Sequence, residues 1–288
     1  NARNEVWFGC LNSVCRLEGE NQVPAAKWHT EPDEPWQYML EDTQGNLWIR
    51  SHTLVMVRRA GSEYFTQVPC DRSLSSPWVP QLALDNKGRL LVPLKEGFAI
   101  LEGARWRFVT RAQGLAANDV SMIFRDKDGA MWVGLLGRGL FRWIGYGEWE
   151  GYTYTEGLSD ELVWQILPDH KGSIWVATRG GLYRGRRHSD SYVFESLPGL
   201  KDEEIQSLLM DRDGTLWAGL RGYGIAHVFP NSGRVERYPF DRLVHNRYIS
   251  HLELDQEGRI WASATVRGGL FLFDRRTHRF ESVDVPGA

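Results

Sequence analysis

The segment DHKGSIWVATRGGLYR, residues 169–184, is not unique in this chain. Asp42 opens DTQGNLWIRS, Asp85 DNKGRLLVPL, Asp126 DKDGAMWVGL, Asp211 DRDGTLWAGL and Asp255 DQEGRIWASA, while RNEVWFGC at residues 3–10 is the tail of one more copy. The tryptophan position falls at Trp7, Trp48, Leu91, Trp132, Trp175, Trp217 and Trp261, at intervals of 41, 43, 41, 43, 42 and 44 residues. A period near 42 that never breaks constrains the fold more than any other feature: each copy must be one small unit that buries its apolar surface against the next.

Within residues 157–199, Val163, Ile166 and Leu167 lie in a first extended run, DHKG turns, SIWVAT is a second run, RGG turns, LYRG is a third run and SYVFESL a fourth. Four short strands separated by turn residues read as one meandering antiparallel sheet. No window keeps apolar residues at helical spacing over three turns, which excludes the helical solenoids. Seven such units predict an all-β, seven-bladed β-propeller over residues 1–288, a single domain of four-stranded antiparallel blades. The first blade lacks its innermost strand, because the chain begins within that repeat; residues beyond Ala288 are expected to complete it. In each copy the Asp is expected to close its own turn and the Gly to take positive φ. The Trp then fills the seam between blades.

These residues resemble the two-component regulator propeller repeats of bacterial signalling proteins. The copies nearest to that pattern are GLAANDVSMIFRDKDGAMWVGLLGRGLFRW, GLSDELVWQILPDHKGSIWVATRGGLYRG and GLKDEEIQSLLMDRDGTLWAGLRGYGIAHV. The resemblance implies a non-catalytic, extracytoplasmic, ligand-sensing propeller, the periplasmic part of an inner-membrane histidine kinase, hybrid regulator or diguanylate cyclase. It also implies an oligosaccharide or other small-molecule ligand and allows a homodimer in the parent protein. The third copy departs from the pattern, since Leu91–Pro93 replaces the Trp-containing strand.

A net charge of −3 and 42% hydrophobic residues describe a soluble globular chain with no signature of nucleic-acid binding. No apolar run is long enough to span a bilayer, so no membrane contact is expected of these residues. Of the three cysteines, Cys10 and Cys15 flank a short turn and are either disulfide-bonded or buried free thiols. Cys70 has no assigned partner. Neither metal-ligand spacing nor a cofactor motif is present, so no cofactor is expected.

Turns between the second and third strands carry Arg50, His52, Lys95, Arg138, Arg179, Arg221 and Arg267, a basic residue in six of the seven copies. Brought around a shared axis, they would focus positive potential on a channel mouth and favour an anionic oligosaccharide. Trp36, Trp78, Trp164 and Tyr248, on or near the innermost strands, are the candidates for stacking on sugar rings. The loops entering those strands add polar groups that include Asp160, Glu161, Asp202 and Gln206. Trp28, Trp106, Trp143 and Trp149 fall near outer strands and read as packing. Two other functions stay open: a protein-interaction scaffold, which lacks the recurrent dipeptides of WD repeats, and a lyase or glycosidase, for which no catalytic motif is found.

Overall fold

The computed structural model describes residues 6–10, 13–18, 21–24, 27–28, 34–75, 81–126, 128–145, 148–158, 160, 162–169, 171–239, 248–265 and 269–283. It is all-β, with three single-turn 3-10 helices and no α-helix among these residues. The representative unit forms the blade read from the sequence: Val163–Pro168, Ile174–Thr178, Gly181–His188 and Ser191–Ser196 pair in that order as an antiparallel sheet. Six sheets contain such a set of four strands, so there are six complete blades rather than seven. The first copy instead forms a three-stranded sheet of Trp7–Cys10, Ser13–Glu18 and Asn21–Pro24. Numbering follows the seven repeats, with that sheet as the first. The second blade gains a fifth strand, Lys27–Trp28, which pairs in parallel with the outer strand Tyr64–Gln67. The chain divides into two compact units, residues 1–136 with 141–150 and residues 137–140 with 151–286.

The recurring Asp is a small scaffold in itself. In all six copies its N–H donates to the carbonyl four residues on, and the Gly three residues on donates back to the Asp carbonyl. The six glycines hold φ between +73° and +88°, a region a side chain would strain. One carboxylate oxygen accepts the N–H groups two and four residues ahead in five copies, for example Lys171 and Ser173 onto Asp169, both at 2.8 Å. The other oxygen reaches six residues ahead to the indole: Trp48, Trp132 and Trp217 donate to Asp42, Asp126 and Asp211 at 2.8 Å, and Trp261 to Asp255 at 2.9 Å. Two copies use arginine instead. Leu91 has no donor, and Arg89 binds Asp85 at 2.5 Å; Trp175 leaves Asp169 to Arg184 at 3.1 Å.

Burial alone would raise the carboxyl groups of Asp42, Asp85 and Asp255, but their hydrogen bonds outweigh it and hold all three below the ordinary value. A folded-state value below the unfolded one stabilises the native state above the ordinary aspartate range near 4 and loses that stabilisation as pH falls through the lower folded value. Urea unfolding followed from pH 7 to pH 3 should therefore show stability dropping below about pH 4. Replacing the three with Asn should flatten that slope; a slope unchanged in the triple variant would place the acid sensitivity elsewhere.

The second-strand side chains pack forward into the next blade. Trp48 clusters with Leu82, Leu90, Val92 and Leu94; Leu91 with Val120, Ile123 and Val133; Trp175 with Leu208, Leu216 and Ala218; Trp217 with Leu252, Ile260 and Phe271. In the third blade, pairing with the innermost strand ends at Leu91↔Ala83, two residues before Pro93, which has no N–H to give to a ladder. That strand is accordingly only Ala83–Leu84.

Blades are joined by a repeated cap. Thr110 and Gln113 form a capping box around Arg111–Gln113, as do Thr153 and Glu156 around Tyr154–Glu156. The chain leaves each turn through a left-handed glycine, Gly114 at φ 91° and Gly157 at φ 99°. The leucines that follow, Leu115 and Leu158, are buried, which explains the GL pair at the head of these two repeats. Cys10 and Cys15 form a disulfide with a Cα–Cα separation of 5.8 Å, which decides between the two readings of that pair. Cys70 is free.

Candidate functional site

Two sets of connections meet at one end of each blade: the loop entering the innermost strand and the turn between the second and third strands. They are tied within a blade by Arg179 N–H to Leu162 O at 3.1 Å, Arg221 N–H to Glu204 O at 2.9 Å and Leu136 N–H to Asp119 O at 3.0 Å. They are tied between successive blades as well. Asp119 N–H donates to Lys95 O at 2.7 Å and Asp202 N–H to Gly180 O at 3.0 Å. Both aspartates sit at positive φ, 59° and 63°, so each entering loop is held in a conformation that non-glycine residues seldom adopt.

The innermost strands of the fourth to seventh blades each carry a bulge, whereas Tyr38–Glu41 of the second pairs without one. The ladder skips one residue between Val120 and Met122, Val163 and Gln165, Ile205 and Ser207, and Ile249 and His251. The skipped residues are Ser121, Trp164, Gln206 and Ser250. A bulge turns its extra residue out of the ladder's regular alternation, a device common beside binding sites. Periodicity cannot reveal it, because the repeat spacing is the same with or without the slip.

The basic residues do not form a uniform set. Arg50 is not in a turn but closes the strand Leu47–Arg50, where it is fully buried and donates to the carbonyls of Leu74 at 2.8 Å and Gln81 at 3.4 Å. Burial pushes its pKa down to about 9, still above neutral pH, so a charged guanidinium ties the second blade to the loop that follows it. His52, Lys95 and Arg138 are exposed. Arg179 is exposed but bound to Asp160 at 3.0 Å, and Arg221 to Glu204 at 2.6 Å. The Glu204 hydrogen bond and charge raise the Arg221 pKa. The Arg221 guanidinium also lies 4.7 Å from the centre of the Tyr248 ring. Arg267 and Trp78 lie outside the described residues, as does Glu161.

Among the aromatics, Trp36 is core: it is buried with Val14, Ile49 and Met56. Trp164 differs in being half-buried on a bulge, and its indole N–H is shielded from solvent with no partner. Tyr248 is half-buried next to Arg221, and Tyr223 is exposed in the same turn as Arg221. The second compact unit thus brings together at one blade end Asp160, Arg179, Trp164, Gln206, Glu204, Arg221, Tyr223 and Tyr248. Glu204 is a partner that sequence comparison overlooked; the aligned position in the preceding repeat is Leu162, so no periodic signal marks it. In the same pair of connections of the second blade, Glu34 accepts Ser51 Oγ at 2.5 Å and Thr53 N–H at 3.1 Å, bonds that outweigh burial and hold its carboxyl below the ordinary value. No cluster of His, Cys, Asp and Glu able to hold a metal ion is found among the described residues.

Residues 114–137, 157–180 and 199–222 match the family profile of the two component regulator propeller. These three segments are regulator propeller repeats. Each match begins at the glycine between blades and ends in the turn after the second strand, so it contains both connections described above and omits the two outer strands. Among solved structures, the extracellular domain of BT3049 from B. thetaiotaomicron, assigned to a hybrid two component system, superposes with a TM-score of 0.75 at 14% identity over 94% of this chain and 38% of its own. The extracellular domain of BT4673 from the same organism, likewise assigned to a hybrid two component system, gives 0.74 at 18% identity over 96% of this chain and 43% of its own. The chain therefore spans less than half the length of these domains. Virginiamycin B lyase from Staphylococcus aureus gives 0.68 at 14% identity over 90% of this chain and 87% of its own. At such identities the likeness is one of fold, the β-propeller. No curated protein matches the sequence.

Proposed function

We propose that this chain is the non-catalytic, extracytoplasmic sensor propeller of a membrane-anchored bacterial signalling protein, and that it binds an oligosaccharide at the blade end carrying the regulator-repeat connections. The observation that carries the reading is the coincidence of the family match with both of those connections in three successive matches. The disulfide between Cys10 and Cys15 supports an oxidising compartment, the periplasm in this reading. The fold shared with the BT3049 and BT4673 extracellular domains supports the same assignment.

The ligand chemistry follows from the side chains. Trp164 and Tyr248 offer ring faces for sugars, Gln206 an amide, and Arg179 and Arg221 guanidinium groups that bind carboxylate or sulfate through paired hydrogen bonds. Each of these arginines already holds a carboxylate of its own blade, so an anionic sugar must displace Asp160 or Glu204. Asp160→Asn should therefore tighten an anionic oligosaccharide, whereas Arg179→Ala and Arg221→Ala should each weaken it by about 1.5–3 kcal/mol at most. Calorimetry of the chain with uronate-containing, sulfated and neutral oligosaccharides at two salt concentrations measures these changes. Binding indifferent to all three substitutions would remove the ligand from this end. Turnover of a bound compound would favour the lyase reading that the virginiamycin B lyase fold keeps in view.

A further inference from the structure

The outer flank of the third and fourth blades holds a cavity of about 150 Å³ lined by Phe98, Arg107, Val109, Gln113, Trp143 and Trp149. Trp143 and Trp149 stack with ring centres 6.0 Å apart and planes 20° from parallel, and Phe98 meets Trp149 edge-on at 6.3 Å. Both indole N–H groups are shielded from water and have no acceptor, so packing alone holds the pair. These tryptophans read from the sequence as outer-strand packing, and they do pack against the core that includes Phe98 and Val109, with their stacked rings beside an open volume.

The polar groups at this cavity are donors. Gln113 spends its amide oxygen on Thr110, accepting the backbone N–H at 3.0 Å and the hydroxyl at 2.9 Å, which leaves its NH2 group to give. Arg107 donates through Nε to Glu102 at 3.0 Å and keeps its other guanidinium N–H groups. Glu102 is also held by Arg89 at 2.5 Å, so it stays paired when Arg107 turns to another anion. The lining contains no carboxylate. A volume of this size accepts one six-membered ring, since an apolar cavity of about 150 Å³ holds benzene.

We propose that this cavity binds a single six-membered ring bearing an acidic group, with the ring against Trp143, Trp149 and Phe98 and the anion on Arg107 and Gln113. A uronic acid sugar and an aromatic carboxylate share this chemistry. The site is separate from the one assigned under the proposed function and stands without it.

The test is calorimetry of the whole chain with sodium glucuronate and sodium benzoate, each against its neutral counterpart, glucose and phenol. Indole N–H resonances are recorded in parallel, with Trp143 and Trp149 assigned through Trp143→Phe and Trp149→Phe. One acid is expected to bind at least about tenfold more tightly than its neutral counterpart and to shift both indole resonances; which acid does so names the source. Arg107→Ala, at an exposed position that leaves the fold intact, should weaken binding by about 10-fold to 100-fold, the range of one charge-assisted contact. Arg179→Ala and Arg221→Ala should leave the ligand-induced shifts of the Trp143 and Trp149 resonances unchanged. The inference is overturned if neither acid binds, if the neutral ring binds as well, if Arg107→Ala has no effect, if the two indoles do not respond, or if Arg179→Ala abolishes the binding.

Discussion

Trp132→Ala and Trp175→Ala should each lower the free energy of unfolding by about 3–5 kcal/mol, the range for emptying a tryptophan-sized site in a packed interior. Both side chains are essentially inaccessible, at 0% and 1% exposure, so neither loss can be relieved by solvent. Substitution by Phe separates them. Trp132 donates to Asp126, whose own exposure is 6%, and Phe leaves that carboxylate oxygen without its indole donor. Trp175 has no such bond, and Arg184 binds Asp169 instead. Trp132→Phe should accordingly cost about 1.5–3 kcal/mol more than Trp175→Phe, the contribution of a hydrogen bond to a charged group. Equal costs in chemical denaturation would mean that the Asp–Trp bond is incidental to the repeat.

Gly157→Ala is the second large effect. The residue lies at φ 99°, and a Cβ there would stand 2.2 Å from the carbonyl oxygen of Phe194. The left-handed conformation alone costs about 1–2 kcal/mol for a residue with a side chain. The collision is with backbone of an adjoining strand, which cannot swing aside, so the total should exceed that range. Gly214→Ala is the control: φ is +80°, yet a Cβ there would meet nothing within 4 Å. It should show the conformational cost and no more. If both variants unfold at the same denaturant concentration, the close approach of Gly157 to the next blade contributes nothing.

These two comparisons show why the fold was legible. In four repeats the Asp, the Gly and the Trp interact within seven residues of chain, so their roles there follow from spacing alone. Six of the seven copies formed four-stranded blades on that basis, and the first formed three strands among the described residues. Even the odd third copy was marked by Pro93, although the arginine that replaces its missing indole was not.

The candidate site was legible only in part. Position in a repeat identified the turns, but it could not distinguish Arg50, whose guanidinium is consumed by backbone carbonyls in the interior, from Arg179 and Arg221, whose guanidinium groups reach solvent. Nor could it show that both of those already hold carboxylates. The count of basic residues suggested a positive surface; pairing with Asp160 and Glu204 offsets it locally. Trp36 and Trp164 differ by one position in the repeat: Trp36 aligns with Val163 and is core like it, whereas Trp164 stands on a bulge.

What the sequence determined by itself is the blade: a period near 42, a self-contained Asp–Gly–Trp turn and glycines at left-handed corners are local, and local interactions close before distant ones form. What tertiary structure decided is everything that depends on a neighbouring strand or blade. The bulges at Ser121, Trp164, Gln206 and Ser250, the partners of each arginine, the Cys10–Cys15 bond and the stacked pair Trp143 and Trp149 all depend on what the pairing strand or loop places opposite each residue. A repeat pattern fixes which residues are equivalent; the differences among equivalent residues, where binding chemistry resides, come from what each one meets.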